Sequence, residues 1–95
     1  MRYRKPFDLA QRQKAIAAFR SMRRNYKLLR RVYAPADRIE RSLLRDYRDL
    51  IVAFRQTLDR PDRLVDADTL NDLDTAATKA FVQYLDRKIR LGGAW

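Results

Sequence analysis

Apolar positions recur along the chain at intervals of three, four and seven, and proline cuts the pattern twice. The first set is Leu9, Ile16, Phe19, Met22, Tyr26, Leu29 and Tyr33, with neither glycine nor proline before Pro35. A period of 3.6 residues places these side chains on one stripe, so the spacing predicts a helix of about 25 residues, roughly 38 Å long. Asp8-Leu9-Ala10-Gln11 matches a capping box and sets its start.

After Ala34-Pro35-Ala36 the pattern resumes with Ile39, Leu43, Tyr47, Leu50, Phe54 and Leu58, widened by Leu44 and Ile51. Asp37-Arg38-Ile39-Glu40 reads as a second capping box. Asp37 with Arg41 and Arg45 with Asp49 are opposite charges four residues apart, as expected on a solvated outer face. Pro61 ends this run. Leu70, Leu73, Ala77, Phe81, Tyr84 and Leu85 form a third stripe, with Asp66 or Asp68 as its cap. Arg87, Lys88 and Arg90 suit its last turn, Gly92-Gly93 its end, and Trp95 trails behind.

No run alternates apolar and polar residues as a half-buried strand would. The expectation is one all-α domain over residues 1–95, a three-helix antiparallel bundle with short connections and a basic N-terminal arm, Met1 to Pro6. Its helices should cover about 8–33, 37–59 and 66–91. No apolar run approaches the roughly 20 residues that span a bilayer, which implies a soluble or peripheral protein.

Charge changes this picture. The net charge of +10 sits entirely on the first third: residues 1–33 hold eleven Lys or Arg against Asp8, whereas residues 34–95 balance eleven against eleven. Arg20, Arg24, Lys27 and Arg31 follow one another at steps of four, three and four, with Arg23 and Arg30 beside them. Like charges at that spacing repel by a few tenths of a kcal/mol per pair, about what opposite charges gain. An anionic partner would relieve the repulsion.

Catalytic chemistry finds little to work with. There is no Cys and no His, so thiolate and imidazole designs have no side chains to use. Both glycines stand at 92 and 93, which leaves no phosphate-cradling loop. Asp66, Asp68, Asp72 and Asp74 have the donor type for Mg²⁺ or Ca²⁺, but no glycine-turned loop accompanies them, and they read as compensation of a helix dipole. The chain is expected to be a non-enzymatic interaction protein with no metal and no cofactor of its own.

The basic face of helix one then has three readings: a solvated helix surface, a nucleic-acid contact, or a dock for an acidic protein. No glycine-bearing turn precedes a recognition helix, which weakens sequence-specific DNA reading and leaves RNA or ribosomal contact as the alternative.

The run Ala17-Ala18-Phe19-Arg20-Ser21-Met22-Arg23-Arg24 resembles the signature of the LYR-motif proteins, Leu-Tyr-Arg followed by apolar and basic residues early in a helix. In that register Tyr47-Arg48 stands where the family carries a downstream phenylalanine followed by arginine. A second register also fits, with Asn25-Tyr26-Lys27 as the tripeptide and Phe54-Arg55 downstream. Ala18 or Asn25 replaces the family's leucine, and in the first register Phe19 replaces its tyrosine and Tyr47 its phenylalanine. The two registers differ by seven residues and put their rings on the same stripe.

The resemblance implies a small mitochondrial protein of the matrix side, serving as accessory subunit or assembly factor of a respiratory or other complex. Outside that resemblance the expected location is simply intracellular. It further implies docking of the acidic acyl carrier protein, whose acyl-phosphopantetheine chain enters the bundle. Arg20, Arg23, Arg24, Lys27, Arg30 and Arg31 would meet the partner, and Phe19, Tyr26, Tyr47 and Phe54 would line the acyl chain. For each ring taken singly, ordinary core packing is the competing role.

Overall fold

A computed structural model of the chain describes residues 7–61 and 64–92, the last two by backbone alone. The basic arm 1–6, Asp62, Arg63, Gly93 and Trp95 lie outside the described residues. Three helices make the fold: α1 Leu9–Val32, α2 Arg38–Leu58 and α3 Ala67–Gly92. Each boundary falls within one residue of the expected span. Among the described residues there is no strand and no helix long and apolar enough to cross a membrane.

Carboxylates set the helix starts. Asp8 accepts from the Gln11 amide at 2.8 Å while the Gln11 side chain accepts from the Asp8 amide at 3.0 Å, a complete capping box. Asp37 accepts from the Glu40 amide at 2.8 Å, but Glu40 reaches past it to the Ala36 amide, also at 2.8 Å. The second box is therefore shifted by one residue. Asp66, rather than Asp68, caps α3, accepting from the Asp68 amide at 3.0 Å and the Thr69 hydroxyl at 3.1 Å.

Contacts fix the directions. Phe19 of α1 meets Arg55 of α2 and Tyr26 stacks on Tyr47, so these helices are antiparallel. Tyr47 meets Phe81 and Glu40 meets Lys88, so α2 and α3 are antiparallel as well. Consequently α1 and α3 run parallel. The α2–α3 pair packs most extensively and the α1–α3 pair least.

The core follows the predicted stripes with three corrections, the first being Tyr33, the C-cap of α1, which is exposed. In α1 the fully buried line is Ala15, Met22 and Leu29, while Leu9 is 70% exposed. Leu9 lies at the edge of the stripe in the first helical turn. In α2 Ile39 is 55% exposed and its neighbour Glu40 takes the buried position. Tyr47, Phe54, Leu29 and Tyr84 are enclosed almost completely, and burying side chains of this kind contributes about 1.5–3 kcal/mol each. Buried Val65 holds the second connection against the core next to exposed Leu64.

Glu40 is buried because α3 supplies its charge partners. Lys88 Nζ lies 2.6 Å from Glu40 Oε1 and also donates to the Ala34 carbonyl at 2.6 Å. Arg87 donates to Asp37 at 3.0 Å, and its Nε sits 3.7 Å from the second Glu40 oxygen. The Tyr84 hydroxyl donates to the Tyr33 carbonyl. Asp37 is thus engaged by Arg87 and not by Arg41, and neither Arg45 nor Asp49 makes an ion pair among the described residues. The Lys88 hydrogen bond and the Ala36 amide hold the Glu40 carboxyl below its ordinary range. The Glu40 amide and Arg87 do the same for Asp37.

Candidate functional site

The cationic face of α1 is where the sequence placed it. Arg20, Arg23, Arg24, Lys27, Arg30 and Arg31 are all exposed, and none of the six makes an ion pair among the described residues. Ala17, Arg20, Arg23, Arg24 and Lys27 border an open depression of about 520 Å³ on the outer surface of the helix. Six cations without ion-pair partners among the described residues, within about three turns of helix, produce a strong local positive potential.

Arg23 and Arg30 differ from the other four. The Arg23 guanidinium lies 5.7 Å from the centre of the Phe19 ring, and Arg30 lies 5.7 Å from that of Tyr26. From α2, Arg55 lies 6.0 Å from the same Phe19 ring. Phe19 is therefore flanked by an arginine from each helix, an arrangement favoured by the negative face of the ring.

Arg55 leads to a row that the sequence reading passed over. Arg41, Arg48 and Arg55 recur every seven residues, which puts them on one face of α2, and all three are exposed. With Arg55 beside Phe19, that face borders α1. Arg55 also pairs with Asp59 at 3.6 Å across solvent, an exposed contact worth at most about 1 kcal/mol. The charge balance of residues 34–95 concealed the row. Its acids lie elsewhere: Glu40 is buried and Asp46 and Asp49 stand off the seven-residue line. The seven-residue recurrence was the available signal.

The four rings proposed to line an acyl chain do not surround one cavity. Tyr26 and Tyr47 stack with centroids 6.3 Å apart, Tyr47 lies 6.0 Å from Phe81, and its hydroxyl donates to the Met22 carbonyl at 3.3 Å. Burial pushes the Tyr47 phenol up from its ordinary pKa. Phe19 opens on a shallow cleft of about 360 Å³ between α1 and α2, shared with Ile51, Val52 and Arg55. Phe54, itself enclosed, lies at the floor of an open cleft of about 440 Å³ on the opposite side, between α1 and α3. Phe7, Ala15, Ala18, Ala67 and Leu70 form the apolar walls there, and Gln11, Lys14, Asn71 and Asp74 are the polar lining. Small alanine side chains on both helices leave this space open.

Of the acidic residues near the start of α3, Asp66 serves as a cap and Asp74 lines the Phe54 cleft. Among the described residues no three acidic side chains converge on a common point suited to a metal ion. Comparison of the chain with known family models, with curated proteins and with solved structures finds no match.

Proposed function

We propose that this protein is a non-enzymatic docking subunit that receives an acidic protein on its α1–α2 arginine surface. The observation that carries the reading is the set of six unpaired cations on α1 joined by the Arg41, Arg48 and Arg55 row of α2. Such a surface accelerates encounter with an anionic partner and fixes its orientation. In line with the LYR-type resemblance, the partner is acyl carrier protein within a mitochondrial respiratory or related assembly.

Among the described residues we assign an acyl chain presented by that partner to the Phe54 cleft, whose lining is the richest in apolar side chains. Its volume of about 440 Å³ falls within the roughly 300–1,000 Å³ of ordinary ligand sites. Phe7 and the alanines offer an apolar surface with enclosed Phe54 behind them, and Lys14 stands in the lining for a polar linker. The second LYR register, which contains Phe54-Arg55, then assigns the chain contact to Phe54. Phe19 and Tyr26 serve to orient Arg23, Arg55 and Arg30.

The same rings argue against single-stranded RNA as the partner. Base stacking needs an accessible aromatic face, and the faces of Phe19 and Tyr26 carry guanidinium groups. The direct test is intact-mass measurement of the protein purified from its own source. A co-purifying acidic protein bearing pantetheine and a fatty acyl group supports the reading. Co-purification of nucleic acid alone, retained in a steeply salt-dependent way, contradicts it.

A further inference from the structure

The seam between α1 and α3 is the weakest closure of the bundle, and its residues describe a second docking surface. Lys14 of α1 and Asn71 of α3 mark the flanks that border this seam, since both line the Phe54 cleft. Eighteen residues make five full helical turns, about 27 Å. Val32 stands eighteen residues after Lys14 and Ile89 eighteen after Asn71, so each occupies the same flank at the far end. The two ends are adjacent in space. Leu29 packs with Tyr84, the Tyr84 hydroxyl meets the Tyr33 carbonyl, and Lys88 meets the Ala34 carbonyl.

Among the described residues this end of the seam exposes four large apolar side chains, interspersed with the polar Ser21, Asn25 and Thr78. Val32 is 57% exposed, Ile89 70%, Leu28 47% and Val82 56%. Leu28 is one turn from Val32, and Val82 is two turns from Ile89 with half-buried Leu85 between them. Polar side chains on both helices would suit a solvated surface better, and aligned apolar residues of this kind mark interaction sites. The surface between two parallel helices, with side chains repeating at 3.6 residues, offers ridges against which a further helix can pack.

Charge selects the occupant. Arg24 and Arg31 flank Leu28 on the outer side of α1 and have no ion-pair partner among the described residues. On α3 the bordering Asp86 is already paired with Arg90 at 3.1 Å. Exposed Lys79, one turn before Val82 on α3, has no ion-pair partner among the described residues either, so both rims are positive and the α1 rim, with two arginines, the more strongly. We propose that the C-terminal half of the α1–α3 seam docks an amphipathic helix of a partner protein, apolar toward Leu28, Val32, Val82 and Ile89 and acidic along its α1 edge. The added helix completes a four-helix bundle. A second copy of this chain is disfavoured because each copy carries a charge of +10.

The experiment uses the full chain and a synthetic 18-residue helical peptide with leucines on one face and glutamates along one edge. A matched peptide carries lysine in place of glutamate. Nuclear magnetic resonance mapping is expected to show shifts at Leu28, Val32, Val82, Leu85 and Ile89. The exposed apolar residues Ile39 and Val52, outside the seam, serve as internal controls and should not move. Ile89→Glu and, separately, Val82→Glu are expected to weaken binding roughly tenfold, the loss equivalent to about 1.4 kcal/mol. Both sites are exposed, so the thermal melt should be unchanged; if one variant fails to fold, the other and the shift map decide.

Equal binding of the lysine peptide, or shifts centred on Ile39 and Val52, would overturn the proposal. So would a dimer of the chain alone that Ile89→Glu dissociates, since the seam would then belong to a second copy. Arg24 and Arg31 border both surfaces, but these α3 variants leave the α1–α2 arginine surface intact, so a loss of peptide binding with retained binding of acyl carrier protein separates the two.

Discussion

Lys88 Nζ approaches Glu40 Oε1 to 2.6 Å, joining the last turns of α3 to the first turn of α2 through a carboxylate that is only 2% exposed. The pair lies 48 positions apart in sequence, and it explains why a glutamate holds a core position where an apolar neighbour was expected. The same lysine holds the Ala34 carbonyl, so the α1–α2 turn is tied to α3 as well.

Glu40→Ala should therefore destabilise the fold by about 2–4 kcal/mol, because it leaves Lys88 and the Ala36 amide without their acceptor in a largely enclosed site. Urea unfolding followed by circular dichroism measures this. Ile39→Ala, one residue away but exposed, should change stability by less than about 1 kcal/mol.

The same site gives acid sensitivity. The Glu40 and Asp37 carboxyls are lowered in the folded state relative to the unfolded chain. Their contribution is present above the ordinary carboxylate pKa and is lost as pH falls through the lowered folded values. Stability should decline as pH drops below about 4.5, near the ordinary glutamate pKa. Glu40→Gln should flatten that decline; an unchanged slope would mean that Glu40 does not carry it.

Tyr47 combines packing with polar contacts to the Met22 carbonyl and the Asn25 side chain. Tyr47→Phe removes the hydrogen bond to the Met22 carbonyl and should cost about 0.5–1.5 kcal/mol. Tyr47→Ala also removes the ring between Tyr26 and Phe81 and should cost about 3–5 kcal/mol. Comparing the two melting curves separates the hydroxyl from the ring.

The Phe54 cleft can be closed without touching the arginines. Ala18→Trp places an indole between α1 and α3 and is expected to abolish any preference for an acylated carrier over an unacylated one. Docking of the unacylated carrier should persist within a factor of about three, less than 1 kcal/mol. Loss of both together would place the chain contact elsewhere.

Much of the fold was legible in the sequence because local rules carry it. Asp8 and Gln11 form the predicted capping box, and the stripes in all three helices contain most of the residues that are buried. What was not legible depends on pairing between distant residues. No local pattern indicates that Lys88 and Arg87 serve Glu40 and Asp37 rather than their own helix terminus. Nor could spacing reveal that Phe54 and Phe19 face opposite clefts, since both lie on inward stripes and only the packing of the third helix separates them. The Arg41, Arg48 and Arg55 row was visible as a repeat, but charge totals for the segment masked it.

The central claim is that the arginine surface of α1 and α2 docks an acidic carrier. Isothermal titration of the purified chain with acyl carrier protein, at low and at physiological salt, tests it most directly when repeated on Arg23→Glu/Arg48→Glu. The account predicts binding that weakens with salt and falls at least tenfold in the double reversal, with the fold intact by circular dichroism. Absence of binding at low salt, or binding that the double reversal leaves unchanged, would contradict it.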